Sequence, residues 1–390
     1  MTFIGISAGE VSGDRYGALL ARAIHRLAPT WQFEGMGHQA MVAAGVRCHA
    51  DIAPHATIGV WDIGRALPGI LGGWWRMRRW IRQTPNLRAL VLIDCQGFHM
   101  PLARQANRAG IPVIYFIAPQ EWQWGTESGG KEVVARTQLL LTIFKEETRF
   151  YTQLKGNVCE VGHPIYDLSG ITPEMDRDAI RHARMVPGRL AVFPGSRKQE
   201  IRHTFPSLLA AAGELLGKGY VTEVVVSVAS PALRAPIAAL VHRMGIPVTY
   251  WDQPSETLIP TAQLSLAASG SVTLQHAVWG TPCVVAYRFG WLAYRVATWV
   301  LGSRRKKIPY MALPNLLLNQ DIMPECFQDG CHGPAIARHA IRCLTDPDLQ
   351  AHMAAGYQAV RDQLGIPGAI DRAAEAIVAW VNAHPPHVAG

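Results

Sequence analysis

No disulfide framework can be read in this sequence. Its seven cysteines, Cys48, Cys95, Cys159, Cys283, Cys326, Cys331 and Cys343, are scattered, odd in number and include no Cys-x-x-Cys pair. That usage fits a reducing, cytoplasmic setting. Cys326, Cys331 and His332 lie close together, but their spacing matches no common zinc template and no fourth ligand is evident, so no metal is expected. Long apolar runs are also missing. No segment supplies the roughly 18 uninterrupted apolar residues of a spanning helix, and Phe3–Ile6 meets Glu10 and Asp14 too soon to form the core of a signal peptide. The chain carries no RNP, helix-turn-helix or zinc-finger pattern, which sets nucleic acid aside as a partner. Charged residues make up only 17% and hydrophobic ones 49% of 390 residues, enough for two domains with real cores and no disordered stretch.

The formal net charge of +8 implies an anionic partner, either a phosphorylated substrate or an acidic bilayer surface. Between Leu67 and Ile81 the residues Leu67, Ile70, Leu71, Trp74, Met77 and Ile81 recur at helical spacing, with Arg76, Arg78, Arg79 and Arg82 around them. Trp74, Trp75 and Trp80 crowd the same helix. Indoles beside arginines on an amphipathic helix suit the plane of an anionic membrane interface, while a core-facing helix with a solvated basic face is the alternative. A second segment, Trp291, Leu292, Tyr294, Val296, Trp299 and Leu301, runs into Arg304-Arg-Lys-Lys307. Such a cluster suits anionic headgroups, at about 1 kcal/mol per basic residue, or a subunit contact.

Two strand-like runs end in a small-residue turn and become helices, Phe3-Ile-Gly-Ile-Ser-Ala-Gly-Glu-Val-Ser-Gly-Asp14 and Leu190-Ala-Val-Phe-Pro-Gly-Ser-Arg-Lys-Gln-Glu200. Each junction points free backbone N–H groups and a helix dipole at whatever lies above the sheet. Short apolar runs at Phe3–Ile6, Leu90–Ile93, Val113–Ile117 and Leu139–Ile143 alternate with helical spacing at Tyr16–Leu27 and Met100–Ala109. The pattern restarts with Leu190–Phe193, Val224–Val228, Val248–Tyr250, Leu264–Ala267 and Cys283–Ala286, with helices at Phe205–Leu216 and Val272–Trp279. This predicts an α/β chain of two doubly wound, Rossmann-like domains facing each other across a cleft, with ligands at the carboxyl ends of the strands. The expected division is 1–168, 169–346 and a helical tail, 347–390, that packs back on the first domain or on a partner subunit.

The second junction has the chemistry of an anion site. Gly195 allows a tight turn, Ser196 can cap the helix, Arg197 can fork onto a phosphate, and Glu200 can hold the arginine or the first turn. Downstream, Ser269-Gly270-Ser271 leaves another strand and enters a helix carrying Thr273 and Gln275, so two helix N-termini can serve one diphosphate. The first junction, with Ser7, Gly9, Glu10, Ser12 and Asp14, carries carboxylates where an anion site wants cations. It reads as the acceptor side.

These motifs, with Ile93-Asp94, Ile111-Pro-Val-Ile-Tyr115, Pro119-Gln-Glu-Trp122, Val161-Gly-His-Pro164, Ala268-Ser-Gly270, Leu313-Pro-Asn315 and Pro324-Glu325, resemble the lipid-A-disaccharide synthase family over nearly the whole chain. That family comprises inverting glycosyltransferases of the two-Rossmann GT-B architecture. The resemblance implies a UDP-glucosamine donor bearing two acyl chains, an acylated glucosamine 1-phosphate acceptor, a β-1,6-linked product and released UDP. It implies no cofactor, a cytoplasmic enzyme peripheral to the inner membrane, and a homo-oligomer, a dimer with exchanged C-terminal segments. It also draws Gln120 and Glu121 to the acceptor side, and Gln275 and Asn315 to the UDP-sugar.

The chain departs from the family at three positions. Where the family commonly reads Ile-Asp-x-Pro-Asp-Phe-Asn, this chain reads Ile93-Asp94-Cys-Gln-Gly97-Phe98-His99; Gln275 replaces a glutamate, and Glu121 an apolar residue. An inverting transfer needs a base near the acceptor hydroxyl. Gly97 cannot serve, which leaves Asp94, His99 and Glu10 as the catalytic candidates, with Asp14 and Glu121 as further carboxylates. Alternatives remain a related UDP-sugar enzyme, with another acceptor or an epimerase reaction, and a degenerate homologue that binds nucleotide or lipid.

Overall fold

The computed structural model describes residues 2–52, 60–84, 86–122, 125–290 and 310–385. The chain falls into two compact units, Met1–Leu168 with Leu364–Gly390, and Ser169–Gln363. The first runs β1 (Phe3–Ala8), α1 (Val11–Leu27), β2 (Gln32–Met36), α2 (Gln39–Ala43), β3 (Arg47–Ala50), α3 (Val60–Gln83), β4 (Leu87–Ile93) and α4 (Gln96–Arg108). It continues through β5 (Val113–Phe116), α5 (Glu127–Arg136), β6 (Leu139–Thr142), α6 (Lys145–Gln153), β7 (Val158–Glu160) and α7 (Ile165–Leu168). The second unit has α8 (Arg177–Arg184), β8 (Val186–Phe193), α9 (Lys198–His203), α10 (Phe205–Gly217), β9 (Glu223–Ser227), α11 (Pro231–Met244), β10 (Thr249–Trp251) and α12 (Ser255–Leu258). After these come β11 (Ala262–Ala268), α13 (Val272–Trp279), β12 (Cys283–Tyr287), α14 (Leu313–Leu318), β13 (Glu325–Phe327), α15 (Gly333–Thr345) and α16 (Pro347–Leu364), before α17 (Ala369–Ala383) returns to the first unit.

Each unit is built on one parallel sheet. The strand orders are β3-β2-β1-β4-β5-β6-β7 and β10-β9-β8-β11-β12-β13. Chain order reverses between β1 and β4 in the first sheet and between β8 and β11 in the second. Those are the switch points at which helices leave to opposite faces and a crevice opens above the strand ends. The central strands are continuous apolar runs because helices cover both faces. Leu90, Val91, Leu92 and Ile93 of β4 are fully buried, as are Leu264, Leu266 and Ala267 of β11.

The segment 347–390 divides between the units. Tyr357 and Val360 of α16 are buried in the second, and Arg361 donates to the carbonyl of Ala277 at 2.9 Å. In α17, Ala373, Ala374 and Ile377 are fully buried where the helix packs on α1, and the Asp167 carboxylate accepts from the Ala369 N–H at 3.1 Å. An exposed Arg26–Asp371 pair at 2.6 Å adds little to that apolar contact.

Candidate functional site

In the first unit Ala8 pairs with Ile93, so the turn after β1 and the turn after β4 emerge side by side at the switch point. Glu10 is the N-cap residue of α1 and Asp94 directly follows β4. The backbone there is strained: Asp94 has φ 52° and Cys95 φ 53°, both left-handed without being glycine. Each such residue costs about 1–3 kcal/mol and persists where its surroundings over-determine it. The Asp94 carbonyl accepts from the Tyr115 hydroxyl at 2.7 Å and from His99 Nδ1 at 2.6 Å. A carbonyl only accepts, so Nδ1 carries the proton and the Ser7 hydroxyl donates to His99 Nε2 at 2.9 Å. Gly9 passes so near Cys95 that a Cβ there would lie 2.5 Å from its Sγ.

This arrangement separates the candidate bases. His99 is wholly buried with both ring nitrogens engaged, and burial lowers its pKa to about 4, so the ring is a neutral internal group. The structure thus places it behind Asp94 rather than at the crevice. Asp94 keeps an exposed side chain but is densely surrounded; lost hydration first, then the charge of Glu10, push it up to about 6, against a Cys95 N–H that favours the ionised form. Asp14 is committed to the fold. Its buried carboxylate accepts from the N–H groups of His38, Ala40 and Met41 at 2.6, 2.9 and 3.2 Å, capping α2. Ser12 is half-buried in the first turn of α1.

Gln120 and Glu121 lie in a short 3-10 turn, Gln120 exposed. Glu121 accepts from Gln96 Nε2 and from the Thr126 N–H, the latter at 2.9 Å, and so holds the loop before α5 against the start of α4. A groove of about 380 Å³ opens there, lined by Gln96, Gly97, Met100, Glu121, Glu132 and Val133 among others. Nothing lies within 4 Å of where a Cβ on Gly97 would stand.

In the second unit Phe193 pairs with Ala267, which brings the turns after β8 and β11 to one switch point. The expected Ser196 cap is not made. Instead the buried Glu200 carboxylate accepts from the N–H groups of Ser196 and Arg197 at 2.8 and 3.1 Å and pairs with Arg197 Nη1 at 3.4 Å. Burial raises the Glu200 pKa, against the pull of Arg197. Gly195 has φ 107°, and a Cβ there would meet Glu200 Oε2 at 2.1 Å, so the turn needs glycine. The outward face carries exposed Ser196 and the Arg197 guanidinium, one-third exposed.

Beside it, Gly270 and Ser271 are exposed at the start of α13, whereas Thr273 and Gln275 are buried in that helix, Thr273 Oγ1 donating to the Gly270 carbonyl at 2.8 Å. Ser269 Oγ donates to the Met311 carbonyl at 2.6 Å. Asn315 is fully buried: its Nδ2 donates to the Met323 carbonyl and the Glu325 carboxylate at 2.8 and 2.7 Å, and its Oδ1 accepts from Ile322 and Met323 N–H at 3.1 and 3.0 Å. Glu325 in turn accepts from Met311 and Ala312 N–H. Asn315 therefore braces the loop behind Ser269. Glu325 was visible only as part of the Pro324-Glu325 motif, and Tyr115 only as part of the Ile111-Pro-Val-Ile-Tyr115 motif and the strand at Val113–Ile117.

The tryptophans of α3 separate by face. Trp80 belongs to the core: it is 6% exposed, stacks on His49 and donates from Nε1 to Glu34 at 3.0 Å. That corrects its grouping with the membrane residues, because Trp80 shares a face with buried Met77 and Ile81. Trp74 is half-buried against the same core. Leu67, Leu71 and Trp75, at four-residue spacing, are 46, 48 and 59% exposed, and Arg76 and Arg79 are exposed beside them. Arg78 lies over the rings of Trp74 and Trp75 at 5.3 and 5.2 Å. The second apolar and basic segment, Trp291 to Lys307, lies outside the described residues. Among the described residues no helix is long and apolar enough to cross a membrane, and no group of three or more His, Cys, Asp or Glu could hold a metal ion.

Comparison with known proteins extends these observations. The profile of the family described as lipid-A-disaccharide synthetase matches residues 4–376. A lipid-A-disaccharide synthase of Prochlorococcus marinus is 34% identical, covering 96% of this chain and 97% of that protein. One of Geobacter sulfurreducens is 33% identical, covering 95% of each. Among solved structures, UDP-GlcNAc 2-epimerase from Neisseria meningitidis bound to UDP-GlcNAc superposes with TM-score 0.60 at 13% identity over 98% of this chain and all of that one. A UDP-glucose:anthocyanidin 3-O-glucosyltransferase in complex with UDP gives TM-score 0.60 at 12% identity over 98 and 99%. These likenesses show the fold.

Proposed function

The chain belongs to the lipid-A-disaccharide synthetase family, and from that premise we propose that it joins two acylated glucosamines with release of UDP. The donor is UDP-2,3-diacylglucosamine and the acceptor 2,3-diacylglucosamine 1-phosphate. The acceptor hydroxyl attacks the anomeric carbon; the new C–O bond forms as the bond to the diphosphate breaks, UDP leaves with the electron pair, and the hydroxyl proton passes to a base. Asp94 is that base in this reading, an exposed carboxylate with a pKa of about 6 at the end of β4. A base near the working pH combines a large ionised fraction with useful basicity.

The donor site in this reading is the pair of turns above β8 and β11. Arg197 and Ser196 with the start of α13 at Gly270 and Ser271 face the diphosphate, and they stabilise the negative charge that builds on it. Gly195 and Glu200 shape the first turn; Ser269, Thr273, Gln275 and Asn315 support the second from inside. On the acceptor side, Gly9, Glu10 and Ser12 frame the crevice with Gln120, while Glu121 holds its loop.

The stripe Leu67, Leu71 and Trp75, flanked by Arg76 and Arg79, seats the enzyme on the anionic inner-membrane surface from which acylated substrates are drawn. The observation that carries the functional reading is the family match over residues 4–376. Its test is incubation of the purified protein with both acylated substrates and mass spectrometry of the products. Disaccharide with stoichiometric UDP supports the reading. UDP binding without turnover would reduce the chain to a nucleotide-binding homologue, and an isomerised UDP-sugar would make it an epimerase.

A further inference from the structure

Two buried side chains, His99 from a helix and Tyr115 from a strand, donate to the Asp94 carbonyl, and a third, Ser7, holds His99 from behind. Ser7 is the last residue but one of β1, Asp94 follows β4, His99 lies in the first turn of α4 and Tyr115 stands on β5. The peptide plane between Asp94 and Cys95 is oriented by ψ of the first and φ of the second, and its oxygen accepts from both His99 Nδ1 and the Tyr115 hydroxyl. The Asp94 N–H is held as well, by the Phe116 carbonyl at 3.2 Å. His99 cannot turn its ring, because the Ser7 hydroxyl occupies Nε2 at 2.9 Å. A left-handed pair such as Asp94 and Cys95 relaxes unless its surroundings hold it. Here the holding groups are buried: His99, Tyr115 and Ser7 are all 0% exposed, while the Asp94 side chain is the one member left in solvent.

We infer that His99, Tyr115 and Ser7 are positioning residues that keep Asp94 in its left-handed conformation through its own carbonyl, aiming the carboxylate at the acceptor hydroxyl. The inference rests on the reading of Asp94 as the base. It gives His99 a role without proton transfer: its two hydrogen bonds fix Nδ1–H as the donor, and its low pKa keeps the ring neutral across the working range. The charged and titratable groups around the Asp94 carboxylate are Glu10 before α1, Tyr16 on α1, Cys95, Tyr115 on β5 and Glu147 on α6. All are outside the clamp except Tyr115, so loosening the clamp changes aim before it changes charge.

The test uses the full-length enzyme and the two acylated substrates, with kcat, KM and the pH profile measured for each variant and thermal melting as the check on folding. In His99→Asn, the amide nitrogen takes the place of Nδ1, so kcat should stay within about threefold of the parent. His99→Leu and Tyr115→Phe each remove one donor, and each should lower kcat at least tenfold with KM for both substrates unchanged. The double variant should approach Asp94→Asn. The acidic limb of the profile should stay near the parent position in the single variants that remain active.

Two results would overturn the inference. One is His99→Asn as inactive as His99→Leu, which would give the imidazole chemistry of its own. The other is Tyr115→Phe and His99→Leu with parental kcat and a lowered melting temperature, which would make the cluster structural only. Turnover by Asp94→Asn at the parental rate would instead overturn the base reading, whatever the clamp variants do.

Discussion

Asp94→Asn should make the protein far less active and more stable at once, and the two effects have one cause. The Asp94 carboxyl is raised from 3.8 to about 6 in the folded protein, chiefly by lost hydration and then by Glu10. The folded state therefore holds its proton at pH values where the unfolded chain has released it. By linkage, the contribution of Asp94 to stability is greatest below about pH 4 and falls as pH rises through the window from 3.8 to about 6, above which the loss is constant. Because the side chain is exposed, solvent screening holds the loss to about 1 kcal/mol, roughly 2–4 °C for a domain of this size. Asparagine carries no charge, so the variant should melt higher than the parent at pH 7.5 and equally at pH 4. Activity should respond oppositely. A base of pKa about 6 is roughly nine-tenths ionised at pH 7, and the parent rate should fall about tenfold per unit below pH 6. Removing the base should cost about 10²–10⁴ in kcat, and the surviving rate should lose its acidic limb. Calorimetry at the two pH values, with UDP release followed from pH 5 to 8.5, supplies all the numbers. An unchanged melting temperature at pH 7.5, or an acidic limb that persists in the variant, would refute the reasoning.

Further outcomes follow from other contacts. Glu10→Gln removes the second contribution to the raised pKa, so the acidic limb of the pH profile should move to lower pH; a limb that stays in place contradicts that coupling. Gly195→Ala puts a Cβ into the Glu200 carboxylate at a φ of 107°, and the strain with the lost cap should cost about 2–3 kcal/mol in urea unfolding and weaken UDP in titration calorimetry. Asn315→Leu leaves the Ile322 and Met323 N–H groups and the Met323 carbonyl without this partner in a buried loop and removes one donor from Glu325, which should cost about 3 kcal/mol or more, read by the same unfolding assay. Trp75→Ala should lower sedimentation with anionic liposomes while leaving the melting temperature within a degree or two, whereas Trp80→Ala should cost about 3–5 kcal/mol of stability.

Both sheets could be traced in the sequence wherever a strand is covered on both faces. β1, β4, β5, β6, β8, β9, β11 and β12 are apolar runs because parallel strands need that covering. The strands that went unread, β2, β3, β7 and β13, lie at or near the sheet margins, where Gln32, Arg47, Glu160 and Glu325 interrupt the apolar pattern. The site was legible as positions and less so as orientations. Small residues after a strand marked both switch points, but nothing local says whether a polar side chain turns outward. Asp14, Glu200 and Asn315 turned inward, each taking up backbone N–H groups, and a motif match alone does not separate that duty from ligand contact. On α3 the information was present in the spacing: 67, 71 and 75 form one face, and 77, 80 and 81 another. His99 reads in the sequence as a residue just past a strand end, but its neighbours Ser7 and Tyr115 are 92 and 16 residues away, and only the sheet brings them beside it.

The central claim is that this chain transfers an acylated glucosamine from UDP to an acylated glucosamine phosphate, with Asp94 taking the proton. The most direct measurement is product analysis by mass spectrometry of parental and Asp94→Asn protein with both acylated substrates, normalised to UDP bound. The account predicts disaccharide from the parent and a loss of at least about 10² in rate from the variant at undiminished UDP binding. No disaccharide from the parent, or parental rates from the variant, would contradict it.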